Sequence, residues 1–355
     1  MGNPVIGADA ARVKAWEAAR QETLAWFEDN FYGRPPLGRP DDMAFGEREI
    51  SFAGGRIALH LQVKLPADAS AERPAPVFVF GDHALLRSGH PYPGVPEDDI
   101  AGRGYAFVRY DFNEIAPDCF VYEEWRIDGV FREYGGWDRP DGWGRVAAWA
   151  WGFSRVMDWI ETRPELDAAH VAVVGHSRGG KTALWAAAND SRVALAVSNG
   201  SGTGGAHLNS VVTPGSEQVV AFERAGSWNF FCPNFLKLHG HETELAHDAD
   251  DLMRLIAPRL VFVASGAEDR GAGPEGEFEA ARRAGELWRA HGLPGFGLAN
   301  YPEPGTVSLD GSIGYFLRPG GHILAADSWM RFLDFTDRHG WRGKEAAPAT
   351  ASLFL

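Results

Sequence analysis

The eight residues from Gly175 to Thr182 satisfy two motifs that imply different chemistry, because they read Gly-His-Ser-Arg-Gly-Gly-Lys-Thr. As G-x-S-x-G they predict a nucleophile elbow, a sharp turn between a strand and a helix that presents Ser177 as the attacking group. Gly175 and Gly179 fit that motif because the strained turn leaves no room for side chains. As G-x-x-x-x-G-K-[ST] they predict a phosphate-binding loop, with Lys181 and Thr182 on nucleotide phosphate and magnesium. Both motifs need a strand before and a helix after, so the rest of the chain must decide.

Short apolar runs alternate with helix-like segments along the chain. The runs predicted as strands are 57–65, 77–80, 105–110, 171–174, 195–197, 260–264 and 312–317. The segments predicted as helices are 9–31, 145–162, 182–190, 248–257, 276–291 and 328–339. Such alternation predicts an α/β protein with a mostly parallel central sheet and helices on both faces. We expect one domain over residues 1–355, with residues 111–143 as an insert or lid, because irregular connections of that length are often functional.

Composition narrows the range of partners. The chain has 34 basic and 48 acidic residues and a net charge of −14, which disfavours nucleic acid as a partner. Two cysteines, Cys119 and Cys232, are too few for a disulfide scaffold. No apolar run approaches the roughly 18 residues of a membrane span. The N-terminal residues read as an amphipathic helix and not as a signal peptide, which favours a cytoplasmic location unless a signal was removed. Composition leaves the oligomeric state open.

The phosphate-loop interpretation fits the surrounding chain poorly. Such a loop usually follows the first strand of its domain, whereas here at least three predicted strands come earlier. Its partner aspartate should end a later strand, yet the runs at 195–197 and 260–264 end without one. Nucleotide binding therefore remains only as an alternative.

The elbow interpretation requires an acid and then a histidine further along the chain, each after a strand. Glu268 and Asp269 follow one late apolar run, and His322 follows the last one. A serine hydroxyl is a weak nucleophile until an imidazole removes its proton, and a carboxylate orients that imidazole. We therefore predict a triad of Ser177, Asp269 and His322, with Glu268 as the adjacent alternative acid.

An ordered set of motifs extends from about residue 16 to about residue 340. It comprises Phe27-Glu-Asp-Asn-Phe-Tyr-Gly-Arg34, Trp143-Gly-Arg-Val-Ala-Ala-Trp-Ala-Trp-Gly152, Gly175-His-Ser-Arg-Gly-Gly-Lys181, Ser201-Gly-Thr-Gly-Gly205, Phe231-Cys-Pro-Asn-Phe235, Ile256-Ala-Pro-Arg259, Gly276-Glu-Phe278, Ser312-Ile-Gly-Tyr315, Gly321-His322 and Trp329. Together these stretches resemble the glucuronoyl esterases of carbohydrate esterase family 15, especially the bacterial members. The resemblance implies an α/β-hydrolase fold and a serine esterase. It further implies cleavage of the ester between a glucuronic acid of xylan and a lignin alcohol, without a metal or organic cofactor.

The resemblance also assigns roles to individual residues. Ser177 would be the nucleophile and His322 the base. Arg178 would serve the oxyanion hole, since its backbone N–H and its guanidinium could both face the developing alkoxide. Lys181 and Glu217 would bind sugar hydroxyls. The expected partner is a carbohydrate ester or another small ester.

Two positions depart from the family pattern. Many members carry the catalytic carboxylate where this chain has Gly200, so the triad must use the acid after the next strand, which Asp269 provides. Members normally carry a tryptophan against the uronate where this chain has Gly271. Losing that flat surface weakens sugar binding, since an aromatic side chain buries about 150–250 Å². An esterase for acetylated sugars or other small esters is therefore an alternative, as is a non-catalytic carbohydrate-binding protein.

Simpler structural roles exist for several of these residues. Ser177 could merely cap a helix, Arg178 could pair with an acid, and Lys181 could be a solvated lysine. His322 could be a surface-loop histidine, and His176 could pack beside the elbow.

The segment from His239 to Asp248 resembles a metal site only superficially. His241 and His247 are six positions apart, which does not match H-E-x-x-H, so we expect a loop that leads into a helix. Trp125 and Trp137 are candidates for the mouth of the substrate pocket.

Overall fold

The computed structural model describes residues 8–83, 92–118, 128–225 and 227–342. The strands are β1 (Ala44–Phe45), β2 (Glu49–Phe52), β3 (Ile57–His60), β4 (Gln62–Lys64), β5 (Ala75–Asp82), β6 (Ala106–Asp111), β7 (Leu166–His176), β8 (Leu195–Asn199), β9 (Leu260–Gly266), β10 (Val307–Ser308) and β11 (Ile313–Arg318). The α-helices are α1 (Ala10–Phe27), α2 (Glu97–Gly102), α3 (Gly129–Tyr134), α4 (Arg145–Ile160), α5 (Arg178–Asn189), α6 (Val219–Arg224), α7 (Ala249–Arg254), α8 (Pro274–Ala290) and α9 (Ala326–Arg338). In the described part of the chain, no helix is at once long and apolar enough to cross a membrane.

A mixed sheet forms the centre of the molecule. Its strand order within the described residues is β10-β11-β9-β8-β7-β5-β6-β4. The six strands from β11 to β6 run parallel, and the short strands β10 and β4 pair antiparallel at the two edges. The architecture confirms the predicted α/β-hydrolase class, with a mostly parallel central sheet.

Both faces of this sheet are covered, which explains why its strands read as continuous apolar runs. Alternate residues of β5 point to opposite faces: Val77 and Val79 join one buried cluster, and Phe78 and Phe80 join the other. The first cluster includes side chains of α1, α4, α5 and α8, whereas the second includes those of α2 and α9. The predicted placement of helices on both faces is therefore confirmed.

The predicted strand over residues 57–65 is wrong in one respect, because it divides between two sheets. Its first half, β3, belongs to a separate three-stranded sheet with β1 and β2, and its second half, β4, pairs with β6. Leu61 lies at the break and is buried, with its N–H donated to the Arg48 carbonyl. Apolar residues alternate through both halves of the sequence, at Ile57, Leu59, Leu61 and Val63, so the alternation gives no sign of a change of sheet.

The predicted helix over residues 9–31 consists of two helical types. The α-helix ends at Phe27, and a π-helical turn over Glu28–Tyr32 continues it to Gly33. Gly33 has a φ of 84° and ends the turn, as its position before two prolines predicts.

The segment predicted as an insert or lid, residues 111–143, lies partly outside the described residues, since 119–127, with Trp125, are among those not described. Its described parts contain a 3-10 turn over Phe112–Glu114 and helix α3. Phe112 and Phe131 are fully buried, and Trp137 packs against the core. These parts therefore belong to the hydrophobic core, and the role as a lid stays a prediction, as does the single-domain assignment.

Parallel strands bring their carboxyl ends to one edge of the sheet, and ligands of open α/β sheets bind at that edge. The residues that directly follow β7, β8, β9 and β11 therefore lie near one another. These loops carry Ser177, Gly200, Asp269 and His322.

Candidate active site

Ser177 forms a sharp turn between β7 and α5. Its φ is 57° and its ψ is −123°, a conformation that is rare and strained for a residue with a side chain. The turn is held by backbone hydrogen bonds. The Ser177 N–H donates to the carbonyl of Asn199 at 2.9 Å, and the Gly180 N–H donates to the Ser177 carbonyl at 2.9 Å. The local geometry is therefore that of a nucleophile elbow.

Glycines permit the close approach of strand and helix in this turn. A Cβ on Gly175 would lie 1.9 Å from the carbonyl oxygen of Gly179, and one on Gly180 would lie 2.9 Å from the Cβ of Ser201. On Gly179, by contrast, a Cβ would be in ordinary contact with Phe112 at 3.6 Å. The prediction that crowding requires Gly179 is therefore wrong, and the crowded positions are Gly175 and Gly180.

Asp269 and His322 lie in direct contact. The Nδ1 atom of His322 is 2.6 Å from Oδ2 of Asp269. The Asp269 side chain is 6% exposed and that of His322 is 45% exposed. Glu268, the alternative acid, is exposed, and its backbone N–H donates to the Gly320 carbonyl. When His322 is neutral, its Nδ1–H donates a hydrogen bond to the carboxylate, so the nitrogen that can accept a proton is Nε2.

Gly200 lies where the elbow meets this acid–histidine pair. It follows Asn199, the residue whose carbonyl accepts the Ser177 N–H. A Cβ on Gly200 would be 3.2 Å from Asp269 Oδ2 and 3.4 Å from His322 Nδ1. The nucleophile candidate, the acid and the histidine therefore converge at the carboxyl end of β8.

The loop that carries His322 is held by the buried guanidinium of Arg318. This group donates to the carbonyls of Pro319 at 2.5 Å, of Gly321, and of Ile323 at 3.4 Å. Three carbonyls of one short loop thus bind one planar cation, which restricts the position of His322.

The guanidinium of Arg178 pairs with a buried acid. Its Nη1 atom lies 2.8 and 2.6 Å from the two carboxylate oxygens of Asp118, and its centre lies 5.1 Å from the ring centroid of Phe230. Arg145 contacts the same carboxylate at 3.3 Å. The simple ion-pair role is thus realised, and it holds the Arg178 side chain beside the elbow. Sequence reasoning missed Asp118, because nothing in its long connection marks it as buried.

Lys181 is buried, so the alternative of a solvated lysine is wrong. Its Nζ atom donates to the carbonyls of Ser201 and Thr203, the latter at 2.7 Å, and lies 3.5 Å from Oε2 of Glu217. Burial lowers the pKa of Lys181, and the neighbouring carboxylate opposes this effect. The Glu217 side chain is 44% exposed, and its backbone N–H donates to the Gly271 carbonyl. Of the two predicted sugar contacts, Glu217 therefore faces solvent and Lys181 lies behind it.

Glu277 is a buried carboxyl group that sequence reasoning missed. Its Oε1 atom accepts the Gly202 N–H at 3.0 Å, and its Oε2 atom accepts from the Ser265 hydroxyl at 2.5 Å. Burial raises the pKa of Glu277 to about 7. The available signal was the family-like motif Gly276-Glu-Phe278, which by itself suggests no buried role. Glu277 and Lys181 together bind the backbone of residues 201–203.

Two histidines of the segment from His239 to Asp248 contact carboxylates that are close to them in the chain. His241 Nδ1 lies 3.1 Å from Glu244, and His247 Nδ1 lies 2.9 Å from Asp251. Within the described ranges, no cluster of three or more metal-ligating side chains is arranged to hold an ion.

Comparison with known proteins places these features in a family. A sequence profile of fungal glucuronyl esterases matches residues 49–292, more than half of the chain. A carbohydrate esterase from an unidentified prokaryote is 32% identical over 97% of this chain and 90% of its own length. A promiscuous esterase of carbohydrate esterase family 15 from a marine bacterial metagenome superposes with a TM-score of 0.77 at 30% identity, over 92% of each chain. The chain belongs to carbohydrate esterase family 15.

Other members of family 15 agree with this assignment. A glucuronoyl esterase from Teredinibacter turnerae has a TM-score of 0.78 at 26% identity, over 92% of this chain and 85% of that one. A 4-O-methyl-glucuronoyl methylesterase from Hypocrea jecorina is 29% identical over 68% of this chain, which corresponds to 49% of that protein. The chain is thus a carboxylic-ester hydrolase, as predicted, and the double motif at 175–182 is resolved in favour of ester chemistry.

The buried carboxyl group of Glu277 predicts a pH dependence of stability. Because burial raises its pKa in the folded state from the usual 4.5 to about 7, the folded chain binds this proton more tightly than the unfolded chain. The stabilisation is complete below the lower value and is lost as the pH rises through about 7. Glu277→Gln mimics the protonated group, so between about pH 5 and pH 8 the wild type should lose on the order of 1–3 kcal/mol more stability than the variant.

Thermal unfolding at both pH values checks this expectation. Glu279→Gln on the same helix is the matched control, since hydrogen bonds from Arg282 and Arg283 lower the pKa of Glu279 to about 2 and it does not titrate in that range. Parallel pH dependences for the wild type and Glu277→Gln would contradict the expectation.

Proposed function

We propose that this chain hydrolyses esters of glucuronic acid through an acyl-enzyme on Ser177. The observation that carries the proposal is the contact of Asp269 with His322 beside a strained serine elbow. Family membership supports the substrate class, since relatives are named 4-O-methyl-glucuronoyl methylesterase and glucuronoyl esterase. No step of the reaction requires a cofactor.

In the first half-reaction, Ser177 Oγ attacks the ester carbonyl while His322 Nε2 takes the hydroxyl proton. Asp269 accepts the N–H of Nδ1 and stabilises the imidazolium that forms. The carbonyl oxygen becomes an oxyanion, which the backbone N–H of Arg178 can bind because the first N–H groups of a helix lack acceptors inside it. His322 then donates its proton to the departing alcohol, leaving glucuronate esterified to the serine.

In the second half-reaction, water attacks the acyl-enzyme with His322 as base. The tetrahedral intermediate collapses, Ser177 recovers its proton, and glucuronate leaves as an anion. The substrate ester carries no such charge, so the product has one more negative charge than the substrate that lay beside the carboxylates of Asp269 and Glu217.

Arg178 has two parts in this scheme. Its backbone N–H faces the oxyanion, whereas its guanidinium is oriented by Asp118 and Phe230. A cation held near the elbow stabilises negative charge in the transition state without needing to reorient, and such preorganisation is a large part of catalysis in many enzymes.

Glu217 is the residue best placed to contact the hydroxyls of the sugar. Its carboxylate is half exposed, is anchored on its inner side by Lys181, and lies beside the loop of Asp269. Lys181 thus contributes by fixing this acceptor and the carbonyls of residues 201–203. Glu217 is therefore a better candidate than Lys181 for a direct contact with the sugar.

A wider range of esters is a second candidate function, and Gly271 favours it. Among the described residues, a Cβ at this position would meet one atom within 4 Å, Asp269 Oδ1 at 3.8 Å, so they leave space beside the acid. A relative with 30% identity is described as promiscuous. An open pocket accepts acyl groups other than glucuronate, including the acetyl groups of acetylated sugars.

Ser177→Ala should reduce turnover of benzyl glucuronate by about 10⁴-fold or more, because removing the nucleophile removes the covalent route. Release of benzyl alcohol measures the reaction. Ser70→Ala, on a partly exposed turn whose hydroxyl accepts the Arg73 N–H, is the matched control and should retain full activity. Undiminished turnover in Ser177→Ala would refute the mechanism. Turnover of acetylated sugars with none of benzyl glucuronate would favour the second function, and failure of a fluorophosphonate to label Ser177 would indicate a non-catalytic protein.

Asp269→Asn should reduce kcat by about 10³-fold or more, because an amide at Nδ1 favours the wrong tautomer of His322. Glu268→Gln changes the neighbouring exposed carboxyl group in the same way and should leave kcat within about twofold of the wild type. Steady-state kinetics on benzyl glucuronate compare the two variants. A greater loss in Glu268→Gln would identify Glu268 as the acid instead.

Gly271→Trp should lower KM for benzyl glucuronate by about 3- to 10-fold, since an aromatic contact is worth about 0.5–1.5 kcal/mol beyond area burial. The φ of Gly271 lies outside the left-handed region, and the described residues leave room there for a Cβ, so a side chain can start at this position without backbone strain. Gly271→Ala adds a Cβ without a flat surface and is the control. Equal KM values for the two variants would show that this position does not contact the sugar.

A further inference from the structure

Asn199 connects the elbow with the loop of the catalytic histidine. It ends β8 and is 4% exposed. Its carbonyl accepts the Ser177 N–H at 2.9 Å. Its side-chain Nδ2 atom lies 2.8 Å from Nδ1 of His176 and donates to the carbonyl of Ile323 at 3.1 Å. One buried amide thus contacts the residue before the nucleophile and the residue after His322.

The carbonyl of Ile323 fixes the orientation of this amide. Turning the Asn199 side chain over would place its oxygen against the Ile323 oxygen, so the nitrogen must face that carbonyl and donate. The same nitrogen then donates to His176 Nδ1, which must accept. Nδ1 also lies 3.2 Å from the Asn199 carbonyl, but the shorter contact to a fixed donor decides its role. His176 is therefore neutral, with its proton on Nε2.

The ring of His176 packs against the ring of His322. The two centroids are 4.4 Å apart, and the planes are inclined by 41°. Burial lowers the pKa of His176 well below its usual value, and the charges of nearby residues add to this effect. The groups that face His176 are His322, His83, Arg178 and the ring of Tyr92. When His322 takes the serine proton, its new positive charge therefore lies against a neutral ring and not against a second cation, so His176 does not repel it.

We propose that Asn199 and His176 are positioning residues for His322. They hold its ring at a fixed distance from Ser177 while the base gains and loses its proton. This inference rests on the proposed function, because it takes His322 as the base. Arg318 supports the histidine loop from the end of β11, directly before that loop, whereas Asn199 belongs to the strand whose carbonyl accepts the Ser177 N–H. Asn199 therefore fixes the distance between Ser177 and His322, and Arg318 fixes the conformation of the loop that carries His322.

The first test replaces Asn199 with leucine, which has a similar shape but no donor. Asn199→Leu should lower kcat on benzyl glucuronate by about tenfold or more, because small displacements of catalytic groups are costly. KM should stay within about twofold. Asn234→Leu is the matched control, since that amide lies between α6 and α7 and donates to the Asp29 carbonyl at 2.7 Å. It should leave kcat unchanged at a similar thermal stability.

The decisive test repeats the substitution in a His322→Ala background, assayed with an activated aryl ester. Removal of a triad member leaves about 10³- to 10⁴-fold catalysis over water. If Asn199 acts through His322, Asn199→Leu should cause no further loss there, because no base remains to be positioned. A further loss equal to that in the wild-type background would show a merely structural role and overturn the inference.

Two further results complete the design. His176→Gln keeps an acceptor for Asn199 but removes the ring, and it takes the place of Asn199→Leu in the same cycle if the latter does not fold. It too should lower kcat only when His322 is present, and equal losses in both backgrounds would overturn the inference. Full activity of His322→Ala alone would refute the proposed function itself, so the two failures are distinguishable.

Discussion

In the turn from β7 to α5, Gly175 faces the carbonyl oxygen of Gly179 with no room for a methyl group between them. This close approach forces the intervening Ser177 into a positive φ that few residues with side chains adopt. The strain persists because the turn is bonded to the neighbouring strand, through the Ser177 N–H and the Asn199 carbonyl. The position of Ser177 is therefore determined by the pairing of β7 with β8, and Asp269 and His322 lie around the end of β8.

The loop after β8 depends on two buried ionisable groups. Lys181 binds two of its carbonyls and Glu277 binds one of its N–H groups, so that donors and acceptors of the loop backbone are satisfied far from water. Burying charge without partners is costly. Here the partners are backbone groups in a fixed geometry, which makes the loop rigid. That rigidity is useful next to Asp269 and His322, whose contact tolerates little displacement.

The amino-acid sequence predicts the frame of this molecule well and its buried polar contacts poorly. Apolar runs identify the central strands because both faces of the sheet are covered, and the positions of Asp269 and His322 follow from strands that end at one edge. The split at Leu61 is invisible because both halves have the same alternation. The burial of Lys181, Asp118 and Glu277 is harder to predict, since charged residues are usually exposed. Their partners are backbone carbonyls and residues far along the chain, which no local pattern reveals.

Gly200 and Asp269 show how an active site can exchange one of its parts. A side chain at position 200 would begin 3.4 Å from the histidine nitrogen that Asp269 already occupies, so two neighbouring strands can each supply an acid to the same atom. The left-handed backbone at Gly200, with a φ of 54°, disfavours a residue with a side chain by about 1–2 kcal/mol, and this bias favours an acid in the loop after β9. The loops after β8 and β9 thus approach the same ring nitrogen, so that either loop can supply an acid to it while Ser177 and His322 keep their places.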